Sequence, residues 1–297
     1  MKLRSITNFA LYFFVIVALS ACRTSSDTES VSAADTSQVN KTRDNKAQEV
    51  FYSIPSPIET IALLKSAGAK YNSNFLNPIE NVSHYASVTE KALNLGIYGS
   101  DLSYTSMYDQ TQESMLYLRC ANKLATSLGI SGAFDENTTA RLEANMQNRD
   151  SLLAIISDSY WTTDTYLKDN GQPGISGLII AGGWIEGLYI GTQIATQTKN
   201  QALTTRIGEQ KLSLENLIAL LETYKTDNTG VASVLTDLKE LNTIYGNVVS
   251  ASAETHATTD TTNKITTLEN SNTFNLSVDK LKQITEKAAA IRNKIIK

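Results

Sequence analysis

Two stretches carry the residues whose types and spacing could do chemistry. In residues 178–191, LIIAGGWIEGLYIG, Glu186 is the single charge in an apolar run, with Tyr189 three residues on. In residues 93–112, LNLGIYGSDLSYTSMYDQTQ, Asp101 is followed three residues later by Tyr104, and a shift of 85 residues lays Asp101 on Glu186 and Tyr104 on Tyr189. Two carboxyls facing each other in an apolar interior share a proton or hold a cation, because both cannot stay ionised without water. A lone buried carboxylate needs a partner. Tyr189, one turn away, and Arg206 and Lys211 in the following segment are the candidates. If tyrosine or arginine satisfies the carboxylate, its role is to fix helix register. If it faces a cavity, Asp101, Tyr104, Glu186, Tyr189 and Arg206 outline a small-ligand or cation site between helices.

Other chemistry is thin. The chain has only two histidines, His84 and His256, far apart in sequence. No His/Cys cluster has transition-metal spacing, so no metal ligand and no cofactor are expected. Gly-x-Ser-x-Gly is absent, and no Ser/His/Asp set stands out, so no catalytic residue is assigned and the chain is expected not to be an enzyme. Gly182-Gly183-Trp184-Ile185-Glu186-Gly187 has neither the spacing nor the preceding strand of a dinucleotide loop. A formal charge of −4 with no basic block argues against nucleic acid. Tyrosine is in surplus, 13 against 7 phenylalanines, which suits interhelical packing first and glycan or protein recognition second.

The elements that must hold these residues are helical. Apolar spacing near 3.6 predicts helices near 58–68, 79–107, 110–128, 136–169, 174–198, 200–225, 230–249 and 276–297, with no convincing strand before residue 250. Ser56-Pro57-Ile58-Glu59 and Asn77-Pro78-Ile79-Glu80 both follow the capping-box pattern. Residues 251–275 are rich in Thr and Asn, either a long loop or a marginal hairpin around Ile265 and Phe274. The final helix places Leu281, Ile284, Ala288, Ile291 and Ile295 on one face, to dock on the bundle. The apolar run in 178–191 is about fourteen residues, short for a bilayer span. Gly183, Gly187, Gly191 and Ala195 recur every four residues, a bare ridge that invites a close neighbour, expected to be the helix through Gly96 and Tyr104. Interior glycine costs about 1 kcal/mol relative to alanine, so such a ridge calls for compensating contact.

The N-terminus indicates compartment. Lys2 and Arg4 precede an apolar run from Phe9 to Leu19, an export signal by length and order. The run ends in Leu19-Ser20-Ala21-Cys22, which resembles the lipobox of bacterial lipoproteins. The resemblance implies cleavage after residue 21, lipidation of Cys22, and attachment to a membrane without spanning it. Arg23, where an inner-membrane-retained member of the family commonly has aspartate, implies outer-membrane sorting, with the periplasmic or surface face left open. Cys120, the only other cysteine, then has no partner for an internal disulfide. Loss of Lys2 and Arg4 with the signal takes the formal charge from −4 to −6. Residues 22–50 are polar enough to form a flexible tether.

The segments IPSPIETIALLKSAGAKYN, KALNLGIYGSDLSY and AGGWIEGLYI are similar to those of uncharacterised helix-rich envelope lipoproteins of Gram-negative bacteria, a likeness that implies fold and location but no activity. The expectation is therefore all-α: a signal peptide at 1–21, a tether at 22–50, and at 51–297 one bundle of about seven to eight helices. If the 85-residue echo is a duplication, that bundle contains two pseudo-repeated helical hairpins. The expected function is a non-catalytic, lipid-anchored scaffold for an envelope protein or glycan partner, with a small-ligand or cation module as the alternative.

Overall fold

The computed structural model describes residues 68–131, 136–226, 228–246, 248, 250–251, 256–260, 265–269, 273–274 and 276–297. The signal peptide, Cys22, the tether and the expected helix at 58–68 lie outside the described residues. The first long helix, α1 (Val88–Met107), starts at a capping box that the sequence reading passed over. The Ser87 hydroxyl accepts the Glu90 N–H at 3.1 Å, and the Glu90 carboxylate accepts the Ser87 N–H at 2.9 Å. The Asn-Pro-Ile-Glu segment, expected to open this helix at residue 79, makes only a 3-10 turn over Ile79–Ser83. Its asparagine caps nothing, because the Asn77 amide turns inward and donates to the Tyr85 hydroxyl at 3.0 Å and to Asn94 at 3.2 Å.

Helix α2 (Thr111–Ser127) follows a tight turn. The single helix expected over 136–169 is two, α3 (Glu136–Ala144) and α4 (Arg149–Asp169). Asn148 interrupts it by capping α4, its side-chain oxygen accepting the Ser151 N–H at 3.2 Å. Next come α5 (Pro173–Thr198), α6 (Gln201–Tyr224), α7 (Thr229–Tyr245) and α8 (Val278–Ile295). Between α7 and α8 the hairpin alternative holds: β2 (His256–Asp260) pairs antiparallel with β3 (Ile265–Glu269), and β1 (Ser250–Ala251) with β4 (Thr273–Phe274). The fold is thus an all-α bundle, eight α-helices among the described residues, with this short β excursion before the last helix.

Helix α5 is the centre, in contact with α1, α4, α6, α7 and α8. At 26 residues it is longer than its apolar run, and by length and composition it is one described helix able to cross a bilayer. That corrects the argument from length alone. Its most apolar window is 72% buried inside the bundle, as a core helix requires.

Its main neighbour is α1, as expected. Gly182 sits against Leu93, Gly96 against Ile179 and Gly183, and the Ser100 hydroxyl donates to the Gly183 carbonyl at 2.9 Å. From these contacts to Asp101 and Glu186 further on, both helices advance together, so α1 and α5 run in the same direction. Val88 and Pro173, their first residues, are 85 positions apart, the offset of the sequence echo. Each helix also ends near a non-glycine residue in the left-handed region, Asp109 (φ 58°) and Lys199 (φ 51°), before the chain turns into α2 and α6. The offset is not kept, however: the two helices end 91 residues apart, at Met107 and Thr198, and the helices that follow start 90 apart, at Thr111 and Gln201.

The glycine ridge needs correction. A Cβ on Gly96 would stand 2.0 Å from the Ile179 carbonyl oxygen, and one on Gly182 would stand 2.0 Å from that of Leu93. Gly183 is only just tight, with the Gly96 oxygen at 3.4 Å, while Gly187 and Gly191 meet nothing within 4 Å. A four-residue step advances about 40° around the helix, so a ridge of such steps winds away from a neighbour that Ile179, Gly182, Gly183 and Glu186 face. No contact accounts for Gly187 or Gly191.

Candidate functional site

Three helices meet at Glu186. α5 supplies its carboxylate, fully buried, and α1 supplies Asp101, also fully buried. α8 supplies Arg292, itself only 4% exposed. The guanidinium grips Glu186 in a two-pronged pair, Nε to Oε2 at 2.9 Å and Nη2 to Oε1 at 3.0 Å. Nη2 also donates to the Phe75 carbonyl at 2.9 Å, tying in the segment before α1. The Tyr189 ring lies under the guanidinium carbon at 4.6 Å, a cation–π contact.

Asp101 Oδ2 accepts the backbone N–H of Asn77 at 3.1 Å. Its other oxygen, Oδ1, has no donor among the protein groups. The Asp101 and Glu186 carboxyls are near enough for each to act on the ionisation of the other. Burial, then the charge of Glu186, push the Asp101 carboxyl well above the ordinary carboxylate range, against the weaker pull of Arg292 and the Asn77 N–H. Burial also raises Glu186, opposed by Arg292. Burial works against the charge on Arg292, and Glu186 more than restores it. The arrangement balances with one proton on the acid pair: Asp101 neutral and donating, Glu186 charged, Arg292 charged.

The C-terminal end of α8 is held by a second set of polar groups. Asn94 Nδ2 donates to the Ile295 carbonyl at 3.1 Å, and Asn81 Nδ2 to that of Ile296 at 3.0 Å. Asn77 and Asn94, both fully buried, join this network to the acid pair through the Asn77 backbone.

Of the five residues singled out from sequence, the structure brings Asp101, Glu186 and Tyr189 together. Tyr104 is on the same helix as Asp101 but belongs to an aromatic cluster, its ring 5.5 Å from Tyr71 and 5.0 Å from Tyr108, its hydroxyl accepting the Asn72 N–H at 3.2 Å. Burial pushes that hydroxyl up to about 12. Arg206 is not a partner of Glu186: it lies on an exposed face of α6, paired with Glu209 at 2.8 Å. Lys211 donates to the Val248 carbonyl at 3.3 Å. The residue that sequence reasoning missed is Arg292, and a signal was present. Ile284, Ala288 and Arg292 are spaced by four, so the arginine falls on the apolar face predicted for α8, where a cation needs a buried acid.

Neither carboxyl has surface to offer a ligand. A cavity of about 30 Å³ lies elsewhere, walled by Leu95, Leu102, Leu118, Ile156 and Tyr160, and contains none of the acid pair. Among the described residues no group of His, Cys, Asp and Glu could hold a metal ion. No protein-family model matches the chain, and neither a curated protein nor a solved structure matches it.

Proposed function

We propose that this chain is a non-catalytic envelope protein, anchored through lipid on Cys22, most simply in the outer membrane, whose helical domain is a scaffold for a protein or cell-wall partner. The observation that carries the scaffold reading is the closure of the acid pair. The one constellation in the sequence suited to ligand or proton chemistry is spent internally, binding α1, α5, α8 and the Phe75 segment into one body. Anchorage rests on Leu19-Ser20-Ala21-Cys22 and Arg23.

The large exposed apolar side chains Val88, Leu116, Trp161, Leu212 and Val278 sit on five different helices. A scaffold is expected to carry an exposed apolar or aromatic patch, and among the described residues these side chains are not gathered on any one helix, so that expectation finds no support here. Labelled palmitate supplied to expressing cells should enter the wild-type chain and move it to the detergent phase, while Cys22→Ala should lose both label and partitioning. Unlabelled wild-type chain would end the lipoprotein reading. For the scaffold, crosslinking of anchored protein in intact envelopes should give discrete products, and a chain that crosslinks to nothing would count against it.

A further inference from the structure

We propose that Asp101, Glu186 and Arg292 form a proton-operated latch on the C-terminal helix: with one proton between the two carboxyls α8 is docked, and when that proton is lost to solvent α8 loosens. The geometry leads there by charge count. Arg292 is the cation paired with Glu186, and both of its used nitrogens are committed, to Glu186 and to the Phe75 carbonyl. Asp101 has one oxygen satisfied by the Asn77 N–H and one left without a donor, and its carboxyl and that of Glu186 act on each other's ionisation. A proton on Asp101 completes the set; its loss leaves two negative charges against one positive in a fully buried space. The cheapest relief is to admit water, and the wall assigned to give way is α8, because it carries the cation whose pairing the lost proton upsets.

The groups around the enclosure include His84, at the end of the Ile79–Ser83 turn whose Asn81 holds the Ile296 carbonyl, and a set of buried tyrosines. On α1, Tyr98 and Tyr104 are raised by burial, and the same holds for Tyr117 on α2, Tyr160 on α4 and Tyr189 on α5. Tyr71 and Tyr85, before α1, are raised as well, and burial pushes the Cys120 thiol up to about 11. On α8 itself one further pair lies along the helix, Lys282 with Glu286 at 3.9 Å, and two reach outward to α7, Lys287 to Glu240 at 2.5 Å and Lys294 to Asp237 at 2.7 Å. Of these groups only the acid pair is in contact with Arg292 and wholly buried with it. The sign follows from the raised acid: the folded chain holds a proton that the unfolded chain releases near pH ~4, so docking weakens as pH rises above that point, until the folded-state value is passed.

Hydrogen exchange of the α8 amides in the full chain, followed between about pH 5 and pH 9 and corrected for intrinsic rates, tests the latch. Protection in the wild type should fall with pH, by at most about tenfold per unit for one proton. Asp101→Asn keeps an N–H for Glu186 and an oxygen for the Asn77 N–H but has no proton to lose, so its α8 protection should be flat. A flat wild type, or a variant that follows the wild type, overturns the proposal. Should Asp101→Asn fail to fold, the infrared spectrum of the wild type decides: a protonated-carboxyl C=O band at neutral pH, lost as pH is raised together with α8 protection, is expected. Absence of that band overturns the latch.

Discussion

Arg292 is the side chain on which the interior depends most. Replacing it with methionine leaves Glu186 buried without a cation and Phe75 without a donor, and removing one member of a buried pair costs about 3–5 kcal/mol. Urea unfolding should show a loss of that order. Glu186→Gln should cost less, because Asp101, freed from a neighbouring negative charge, can ionise and balance the guanidinium in its place. Equal losses in the two variants would show that Asp101 does not exchange roles with Glu186. The pairing of Asp101 with Glu186 was legible in sequence because both helices carry their acid at the same step of an 85-residue offset and run side by side in register. The arginine was not, since nearness in the chain favoured Arg206, and the true partner lies 106 residues from Glu186 on a helix read only for its apolar face.

At the scale of elements, the contact between α1 and α5 depends on two glycines and tolerates change at others. Gly96→Ala or Gly182→Ala drives a methyl into a backbone carbonyl that belongs to a helix and cannot swing aside, so a loss of about 3 kcal/mol, at the upper end of overpacking costs, is expected. Gly187→Ala enters open space and should stabilise by about 0.4–1 kcal/mol through the unfolded chain. Thermal unfolding of the three variants checks both signs. Helix identity and order were readable from apolar spacing. Boundaries failed where asparagine decided them, at Asn77, which turns inward, and at Asn148, which caps, because a short amide serves either purpose and its neighbours in space choose. The glycine ridge failed for a geometric reason: regular spacing by four does not stay on one face.

For the whole molecule, two opposed proton linkages set the pH of greatest stability. Glu90, lowered by its bonds to Ser87 and Ala86, contributes stability that is lost as pH falls below the ordinary carboxylate range. Asp101, raised, contributes stability that is lost as pH rises. Urea midpoints across pH should therefore peak on the acid side of neutrality, and Asp101→Asn should remove the decline on the alkaline side. A midpoint that climbs steadily into alkali would contradict the protonated acid pair. Truncation before Val278 takes away the cation, the Ile284, Ala288 and Ile291 face, and the donor to Phe75 at once. Circular dichroism of the truncated chain should show helix without a cooperative melt.

The position of Arg292 also has a consequence for the order of synthesis. Ribosomes deliver α1 and α5 long before the final twenty residues, so a growing chain holds the acid pair with no cation to face it and the groove for α8 open. Arrival of α8 supplies that cation and covers the groove in one step, so the acid pair ties closure of the interior to an element made well after the two helices that carry the acids.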